Sequence, residues 1–215
     1  MCVQQPRAPT FGSKYGFAKL QLSQTCRVYG VELVRFVVGC DLEEFKRYYR
    51  SAGLHDYYKA VGIADIVYGE LGANEERIIN RDPSHLIVWR ENSKIVGDAV
   101  WHEESIDEFT KDPQEKEIAE ALEKLLGKSR EFVELHEVWL EKKYRGKGYG
   151  KMFFEFFEAF ARKRGFASIV YFTGDSTAMA ICRKRGYKEV CLSFPEKEKW
   201  HVFCLSLKQK ENGKS

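Results

Sequence analysis

Hydrophobic residues follow two patterns along the chain, and these patterns predict both strands and helices. Residues Val28–Val38 are rich in β-branched side chains and predict a strand, and Asp41 stands where it can cap a following helix. Two further β-prone runs, His85–Arg90 and Lys94–Trp101, are separated by three turn-forming residues. This arrangement predicts a β-hairpin.

A charged stretch follows the predicted hairpin. Residues Asp107–Lys128 are rich in Glu and Lys, and the apolar residues Ile118, Leu122 and Leu125 recur at helical spacing within them. We therefore predict one amphipathic helix that is inserted between strands. The next run, Phe132–Leu140, is again typical of a strand.

Strands and helices continue to alternate to the end of the chain. A phenylalanine-rich helix that ends at Gly165 precedes three more predicted strands, which are Ser168–Phe172, Lys188–Phe194 and Trp200–Leu207. A short helix over Ser176–Arg185, capped by Asp175, lies between the first two of them. This order of elements predicts an α/β fold with a layered sheet.

Length and composition favour one globular domain. The chain has 215 residues, of which 44% are hydrophobic, and this is enough to bury a substantial core. We predict that the domain covers residues 28–208 and that residues 209–215 form a C-terminal tail. Residues 1–27 are polar with scattered Gly and Pro, so we expect an N-terminal extension that packs loosely.

Charge and cysteine usage exclude several classes of protein. The formal net charge is only +3, from 35 basic and 32 acidic residues, which disfavours a nucleic-acid-binding protein. The apolar stretches are short and interrupted by charges, so we expect no membrane partner. The N-terminus does not resemble a secretory signal, which favours the cytoplasm. The six cysteines are dispersed, so we expect neither a disulfide framework nor a metal site.

The most informative stretch is Arg145–Lys151, with the sequence Arg-Gly-Lys-Gly-Tyr-Gly-Lys, between a predicted strand and an amphipathic helix. Alternating glycines let the backbone turn its N–H groups toward one point, and the helix adds unpaired N–H groups and the positive end of its dipole. Arg145, Lys147 and Lys151 add positive charge. We therefore predict a site for an anionic, phosphate-bearing ligand. The glycine spacing fits neither the mononucleotide loop nor the dinucleotide fingerprint.

With this motif the sequence resembles the GNAT superfamily of N-acetyltransferases. The acetyl-CoA motif of that family is Arg/Gln-x-x-Gly-x-Gly/Ala at a strand-to-helix junction, and Arg145, Gly148 and Gly150 match it. The resemblance extends from Val31 to Leu207 and is firmest over Phe132–Tyr187. It implies a mixed β-sheet, flanked by helices, in which the two central parallel strands splay apart.

The resemblance also implies a set of acetyl-CoA contacts. In such proteins the pantetheine arm of acetyl-CoA forms hydrogen bonds with the backbone of the first central strand. Main-chain N–H groups of the glycine-rich turn bind the diphosphate of acetyl-CoA. By position, the implied contacts are Val138, Trp139, Leu140, Arg145, Gly146, Lys147, Gly148, Tyr149, Gly150, Lys151 and Asp175. For Asp175, capping of the following helix is the simpler role.

An amine acceptor is protonated near neutral pH and must lose a proton before it attacks a thioester. Glu134 lies eleven residues before Arg145, which is the spacing of the general-base glutamate in the histone-acetylating branch of the family. His136 and Glu137 are alternatives on the same strand. Strict alternation would put Glu134 and His136 on one face of that strand and Glu137 on the other.

One position departs from the family pattern. Many members protonate the departing CoA thiolate with a tyrosine that lies four residues before a Gly-Phe pair, and Cys182 occupies that position here. The Cys182 thiol either supplies this proton or packs as a small buried group.

Two main hypotheses follow from the resemblance. The first is an acetyl-CoA-dependent N-acetyltransferase that acts by direct transfer in a ternary complex on a small-molecule amine or a protein amine. The alternative is a CoA-binding regulatory or interaction module with weak or no catalysis, which the missing tyrosine motivates. A nucleotide-binding protein is a more remote third option. The sequence leaves the oligomeric state open, a homodimer included.

Overall fold

The computed structural model describes residues 23–28, 31–51, 71–193 and 199–207. Within these ranges the strands are β1 Ser23–Val28, β2 Val31–Val38, β3 Leu86–Glu91, β4 Lys94–Ser105, β5 Glu131–Leu140, β6 Ser168–Thr173, β7 Lys188–Ser193 and β8 Lys199–Ser206. The helices are α1 Leu42–Ser51, α2 Ala73–Arg81, α3 Ile106–Phe109, α4 Lys116–Leu126, α5 Tyr149–Lys163 and α6 Ser176–Lys184. The mixed α/β fold with a sheet flanked by helices confirms the predicted fold class.

The chain folds as two compact units. Of the described residues, 23–102 and 136–153 belong to the unit that we call the N-terminal unit, and 103–135 and 154–207 belong to the C-terminal unit. The elements β4, β5 and α5 contribute residues to both units.

In the N-terminal unit the strand order is β1-β2-β3-β4-β5, and the first four strands pair antiparallel. Successive side chains of β3 point to opposite faces of this sheet. Val88 packs on one face in a cluster with Phe45 of α1 and Ile79 of α2. Trp89 lies on the other face, where its ring stacks on Phe153 of α5 with 4.8 Å between centroids. The start of α5 is thereby fixed to the face opposite α1 and α2.

In the C-terminal unit the strand order is β5-β6-β8-β7. The strands β6 and β8 pair antiparallel, as do β8 and β7, whereas β5 and β6 are parallel. The parallel pairing joins Val133–Leu135 to Ile169–Tyr171. This register covers three residues of each strand, as expected for the splayed central strands that the resemblance implies. Leu122 of α4 is fully buried in the core of this unit, together with Val170 and Val202.

The start of the fold differs from the prediction. The predicted strand Val28–Val38 is confirmed as β2 over Val31–Val38, whereas its first residue, Val28, is the last residue of the separate strand β1. Residues 23–27, which we assigned to a loosely packed extension, lie in β1 and pair antiparallel with β2. The sheet therefore begins before the predicted boundary at residue 28. The predicted tail at 209–215 lies outside the described residues, and the domain boundaries stay predictions.

The single helix predicted over Asp107–Lys128 is wrong. The segment forms the short helix α3, a 3-10 turn over Pro113–Glu115 and the separate helix α4. Proline has no N–H to donate and disfavours helical geometry in the residue before it, so Pro113 interrupts the periodic pattern. Leu122 is still fully buried, and Ile118, Leu125 and Leu126 are partly buried against the same core cluster.

The predicted β-hairpin and the two predicted helix caps are confirmed. The predicted hairpin is β3 and β4, which pair around a turn with Asn92 at a φ of 54°. Asp41 accepts a hydrogen bond from the Glu44 amide at 2.8 Å, and Asp175 accepts one from the Ala178 amide at 2.8 Å. Among the described residues, no helix is both long and apolar enough to cross a membrane.

Candidate functional site

The turn between β5 and α5 takes its shape from two glycines. Gly146 has a φ of 75° and Gly148 a φ of 86°, which is the left-handed region that side chains with a Cβ rarely adopt. A Cβ at either position would meet nothing within 4 Å. Backbone conformation rather than crowding therefore requires glycine here, and both positions are open to an approaching ligand.

The main-chain amides of this turn are available to a ligand. Helix α5 begins with the Met152 amide donating to the Gly148 carbonyl at 3.1 Å. In the part of the chain that the structure describes, no backbone carbonyl accepts a hydrogen bond from the amides of Gly146, Lys147 and Gly148. Unpaired amides next to the N-terminus of a long helix favour a bound anion. The geometry agrees with the predicted phosphate site.

Cations surround this turn. Residues 142–151 contain no acid and five exposed cations, which are Lys142, Lys143, Arg145, Lys147 and Lys151. The Nε of Arg145 donates to the Leu140 carbonyl at 2.8 Å, and its guanidinium carbon lies 4.5 Å from the centre of the Trp139 ring. These contacts fix Arg145 at the end of β5. The Nζ of Lys147 lies 5.4 Å from the Tyr144 ring.

The end of β5 packs closely against β4. A Cβ on Gly97 of β4 would lie 2.7 Å from the Trp139 carbonyl oxygen and 3.1 Å from Cδ1 of Leu140. Real Cβ atoms do not come this close to a backbone oxygen, so the approach of the two strands requires glycine at position 97. This contact sets the position of the β5 backbone from Val138 to Leu140, which the resemblance assigns to the pantetheine arm.

A group of titratable side chains lies immediately before this backbone in the N-terminal unit. We call it the polar cluster, and its members are Glu75, Asp98, His102, His136 and Glu137. The Nε2 of His136 lies 3.1 Å from Oε1 of Glu75, and the rings of His102 and His136 meet edge to face at 5.5 Å. The cluster combines α2, β4 and β5, so three elements position it.

Asp98 is the most deeply buried acid of the cluster. Its side chain is fully buried. Burial raises the pKa of Asp98 well above its ordinary value, and the negative charge of the buried Glu137 raises it further. Asp98 therefore holds its proton more tightly than an ordinary aspartic acid.

The polar cluster joins side chains of β4 and β5. The ring of His136 of β5 contacts that of His102 of β4, and the charge of Glu137 acts on Asp98 of β4. The predicted alternation along β5 stays a prediction.

The other predicted catalytic residues lie in the C-terminal unit. Glu134 is buried in β5, in register with Val170 of β6. Cys182 is fully buried in α6, and burial raises the pKa of its thiol to about 12, with smaller contributions from Glu158 and Glu189. A thiol of this pKa holds its proton more tightly than an ordinary thiol with a pKa of about 8.5. Proton donation from Cys182 to a CoA thiolate would therefore be unfavourable.

Sequence reasoning missed three members of the polar cluster, which are Glu75, Asp98 and His102. One signal was present, because Asp98 is an acid within the apolar run of β4, and buried acids are rare without a specific environment. Glu75 gave no comparable signal. It meets His136 only through the tertiary fold, across 61 positions of sequence.

Comparison with known families agrees with this geometry. Residues 43–187 match the model of the Acetyltransferase (GNAT) family, which is two thirds of the chain. The chain therefore belongs to the GNAT family of acetyltransferases, and it is an acetyltransferase. This family uses acetyl-CoA. No curated protein matches the sequence.

Several solved structures share the fold. A polyamine N-acetyltransferase of Drosophila melanogaster is 13% identical with a TM-score of 0.61, over 80% of this chain and 99% of that one. Arylalkylamine N-acetyltransferase 2 of Aedes aegypti is 17% identical with a TM-score of 0.57, over 81% and 99%. A chain of the NatC complex bound to Gag peptide and CoA is 15% identical with a TM-score of 0.55, over 82% and 99%. At these identities the likeness concerns the fold.

Proposed function

We propose that this protein is an N-acetyltransferase that binds acetyl-CoA at the β5–α5 turn and transfers the acetyl group directly to an amine acceptor in a ternary complex. The observation that supports this most strongly is the turn itself, in which Gly146 and Gly148 adopt positive φ values next to a helix N-terminus with surrounding cations. The diphosphate of acetyl-CoA matches this site in charge and in its need for N–H donors.

The end of β5 has the properties that the pantetheine arm requires. The main chain of Val138 and Leu140 would form hydrogen bonds with the pantetheine arm. The side chain of Arg145 donates a hydrogen bond to the Leu140 carbonyl and so stabilises the end of this strand. An N–H group near Val138 that points at the thioester oxygen would stabilise the developing oxyanion, and such donors are commonly worth about 3 kcal/mol.

The direct reaction needs a base for the ammonium form of the acceptor. The sequence resemblance nominates Glu134, and the structure adds the polar cluster two residues further along the same strand. Both candidates precede the proposed thioester position at Val138. A covalent acyl-enzyme is not part of the proposal, because the one thiol that the resemblance singled out, Cys182, is fully buried and has a raised pKa.

The acceptor that we propose is a primary amine. The similar structures include proteins described as acting on polyamines and arylalkylamines, and a complex that holds a peptide. We propose the same chemical class here, without choosing between a small amine and a protein amine.

Calorimetry with CoA tests the binding site. The variant G148E places an acidic side chain at the turn and should weaken CoA binding at least tenfold, because it adds a negative charge where the diphosphate lies. G127E is its matched control, since Gly127 also has a positive φ of 65° and open space around its Cβ position. Equal CoA affinity of G148E and G127E would contradict the site.

The enzymatic proposal needs a second measurement. Wild-type protein should release CoA from acetyl-CoA when it is supplied with members of a panel of primary amines, and mass spectrometry should find the acetylated amine. Tight CoA binding with no release on any amine or peptide would instead support the alternative of a CoA-binding regulatory module.

A further inference from the structure

We propose that Tyr144 and Glu91 are positioning residues for the β5–α5 turn, so that the hairpin of β3 and β4 supports the turn that binds the diphosphate of CoA. This inference rests on the proposed acetyl-CoA site and specifies what holds that site in shape. It starts from one hydrogen bond, in which the hydroxyl of Tyr144 donates to Oε2 of Glu91 at 2.6 Å. The two residues are 53 positions apart in the sequence, and both belong to the N-terminal unit.

Tyr144 lies immediately before the turn. It ends a 3-10 turn over Lys142–Tyr144, in which its amide donates to the Glu141 carbonyl at 2.9 Å. The Arg145 amide then donates to the Lys142 carbonyl at 3.1 Å, and Gly146, with its positive φ, follows. These local bonds make the short segment rigid. The direction in which the chain enters the turn therefore depends on where the Tyr144 side chain is held.

Burial makes the bond between Tyr144 and Glu91 important. Tyr144 is only 5% exposed, and a buried hydroxyl needs a hydrogen-bond partner. Burial raises the pKa of Tyr144 to about 12, with further contributions from the hydrogen bond and the charge of Glu91. Tyr144 therefore keeps its proton and is the donor. A hydrogen bond to a carboxylate is roughly twice as strong as one between neutral groups.

The Tyr144 ring also contacts two cations of the turn. The Nζ of Lys143 lies 4.9 Å from the centre of the ring, and the Nζ of Lys147 lies 5.4 Å from it. Both distances are within the range of about 6 Å over which a ring attracts a cation. The position of Tyr144 therefore affects both the backbone of the turn and two of the lysines that attract an anion to it.

A second set of contacts joins the same hairpin to the start of the turn. The Glu141 amide donates to the carbonyl of Val96 in β4 at 3.0 Å, and Oε1 of Glu141 lies 3.5 Å from the Nζ of Lys94. The other oxygen of Glu141, Oε2, lies 3.6 Å from the Nζ of Lys143. The hairpin therefore contacts the segment before the turn at both Glu141 and Tyr144.

The hairpin end is itself held in place, so it can act as a support. The guanidinium of Arg90 donates to the Ser93 carbonyl at 2.8 Å and to both carboxylate oxygens of Glu44 of α1, at 2.8 and 2.7 Å. Arg35 of β2 donates to the Asn92 carbonyl at 3.1 Å. Contacts with α1 and β2 thus fix the residues that follow Glu91.

The charge of Glu91 gives the proposal a distinctive sign. An acid near an anion-binding turn repels the ligand, so electrostatics alone predicts that CoA binds more tightly when Glu91 is removed. A positioning role predicts the opposite, because Tyr144 then loses the partner that holds it. The effect of removing Glu91 on CoA affinity therefore separates the two accounts.

Calorimetry with CoA at constant salt concentration measures this effect. Y144F and E91A should each raise the dissociation constant for CoA about tenfold, because each removes the same hydrogen bond. The double variant should also lose about tenfold rather than about a hundredfold, since the two residues act through one contact. E91Q keeps an oxygen that accepts from Tyr144 but has no charge, so its dissociation constant should stay within about threefold of wild type.

Y49F is the matched control for the loss of a buried hydroxyl. Tyr49 of α1 is buried in the core of the same unit, so Y49F should bind CoA as wild type does. Hydrogen exchange of the free protein measures the positioning itself. The segment 142–151 should exchange faster in Y144F and E91A than in wild type, and it should exchange at the wild-type rate in E91Q and Y49F.

Three results would overturn the inference. They are CoA binding by E91A that equals or exceeds that of wild type, multiplied losses in the double variant, and a loss in E91Q as large as that in E91A. If E91A does not fold, Y144F and E91Q decide by the same criteria, with normal CoA binding by Y144F as the contradicting result. Failure of the proposed function looks different, because wild-type protein would then bind no CoA or G148E would bind it normally.

Discussion

The carboxyl group of Asp98 is fully buried next to Glu137, and this couples the stability of the protein to pH. Folding raises the pKa of Asp98 above the value of about 3.9 that an aspartic acid has in the unfolded chain. The contribution of this carboxyl to the free energy of unfolding is therefore fully present below about pH 3.9, and it is lost as the pH rises toward the pKa of the folded state. The protein should therefore become less stable as the pH rises above about 4 through this group.

The variant D98N tests this coupling. An amide of the same shape has no proton to lose, so the melting temperature of D98N relative to wild type should increase as the pH rises from 5 to 8. In a chain of this size, about 1 kcal/mol corresponds to about 2–4 °C. E131Q, which neutralises an exposed acid at the start of β5, should show no such trend. A constant difference between D98N and wild type at all pH values would contradict a protonated Asp98.

A buried ion pair in the C-terminal unit gives a second prediction at the residue scale. The Nε and Nη2 atoms of Arg185 donate to the two carboxylate oxygens of Glu158 at 2.6 and 2.8 Å, and Glu158 is only 6% exposed. R185Q should lower the free energy of unfolding by about 3 kcal/mol, because it leaves Glu158 as a buried charge without its bidentate partner.

The exposed pair Arg183–Glu189 provides the control. It has the same bidentate geometry, but Arg183 is 51% exposed. R183Q should therefore cost less than about 1 kcal/mol. Chemical denaturation of both variants measures the two losses, and equal losses would show that burial does not set the strength of the Arg185 pair.

At the scale of elements, the contact between β4 and β5 makes Gly97 a sensitive position. In G97A the new methyl group would lie 2.7 Å from the Trp139 carbonyl oxygen, so one strand must move. Because the displaced backbone is the proposed pantetheine site, we expect the dissociation constant for CoA to rise about tenfold, with a loss of stability of about 1–3 kcal/mol.

G127A separates this effect from the cost of a new methyl group alone. Gly127 has open space around it and a positive φ, so the substitution should cost stability through backbone strain and leave CoA affinity unchanged. Normal CoA binding by G97A would show that the strand contact does not set the position of the pantetheine site.

Local sequence signals predicted most elements of this fold. The caps at Asp41 and Asp175, the hairpin of β3 and β4 and the long helix α5 each depend on neighbouring residues, and periodicity or capping chemistry indicates them directly. The break at Pro113 is also a local feature, but the regular apolar spacing on both sides of it concealed the interruption.

One part of the candidate site depends on neighbouring residues and could be predicted from the sequence, whereas the other part depends on the tertiary fold. The turn from Arg145 to Lys151 is contiguous, so its glycine pattern alone predicted a phosphate site that the φ values of Gly146 and Gly148 support. The polar cluster is assembled from α2, β4 and β5, and no periodic pattern specifies that Glu75 meets His136.

At the scale of the whole molecule, the account depends on one claim, which is that the turn after β5 binds the diphosphate of CoA through its main-chain amides. A crystal structure of the CoA complex measures this directly. We expect diphosphate oxygens within about 3 Å of the amide nitrogens of Gly146, Lys147 or Gly148, and the pantetheine arm alongside Val138 and Leu140. A diphosphate bound elsewhere, with these amides facing solvent, would contradict the account.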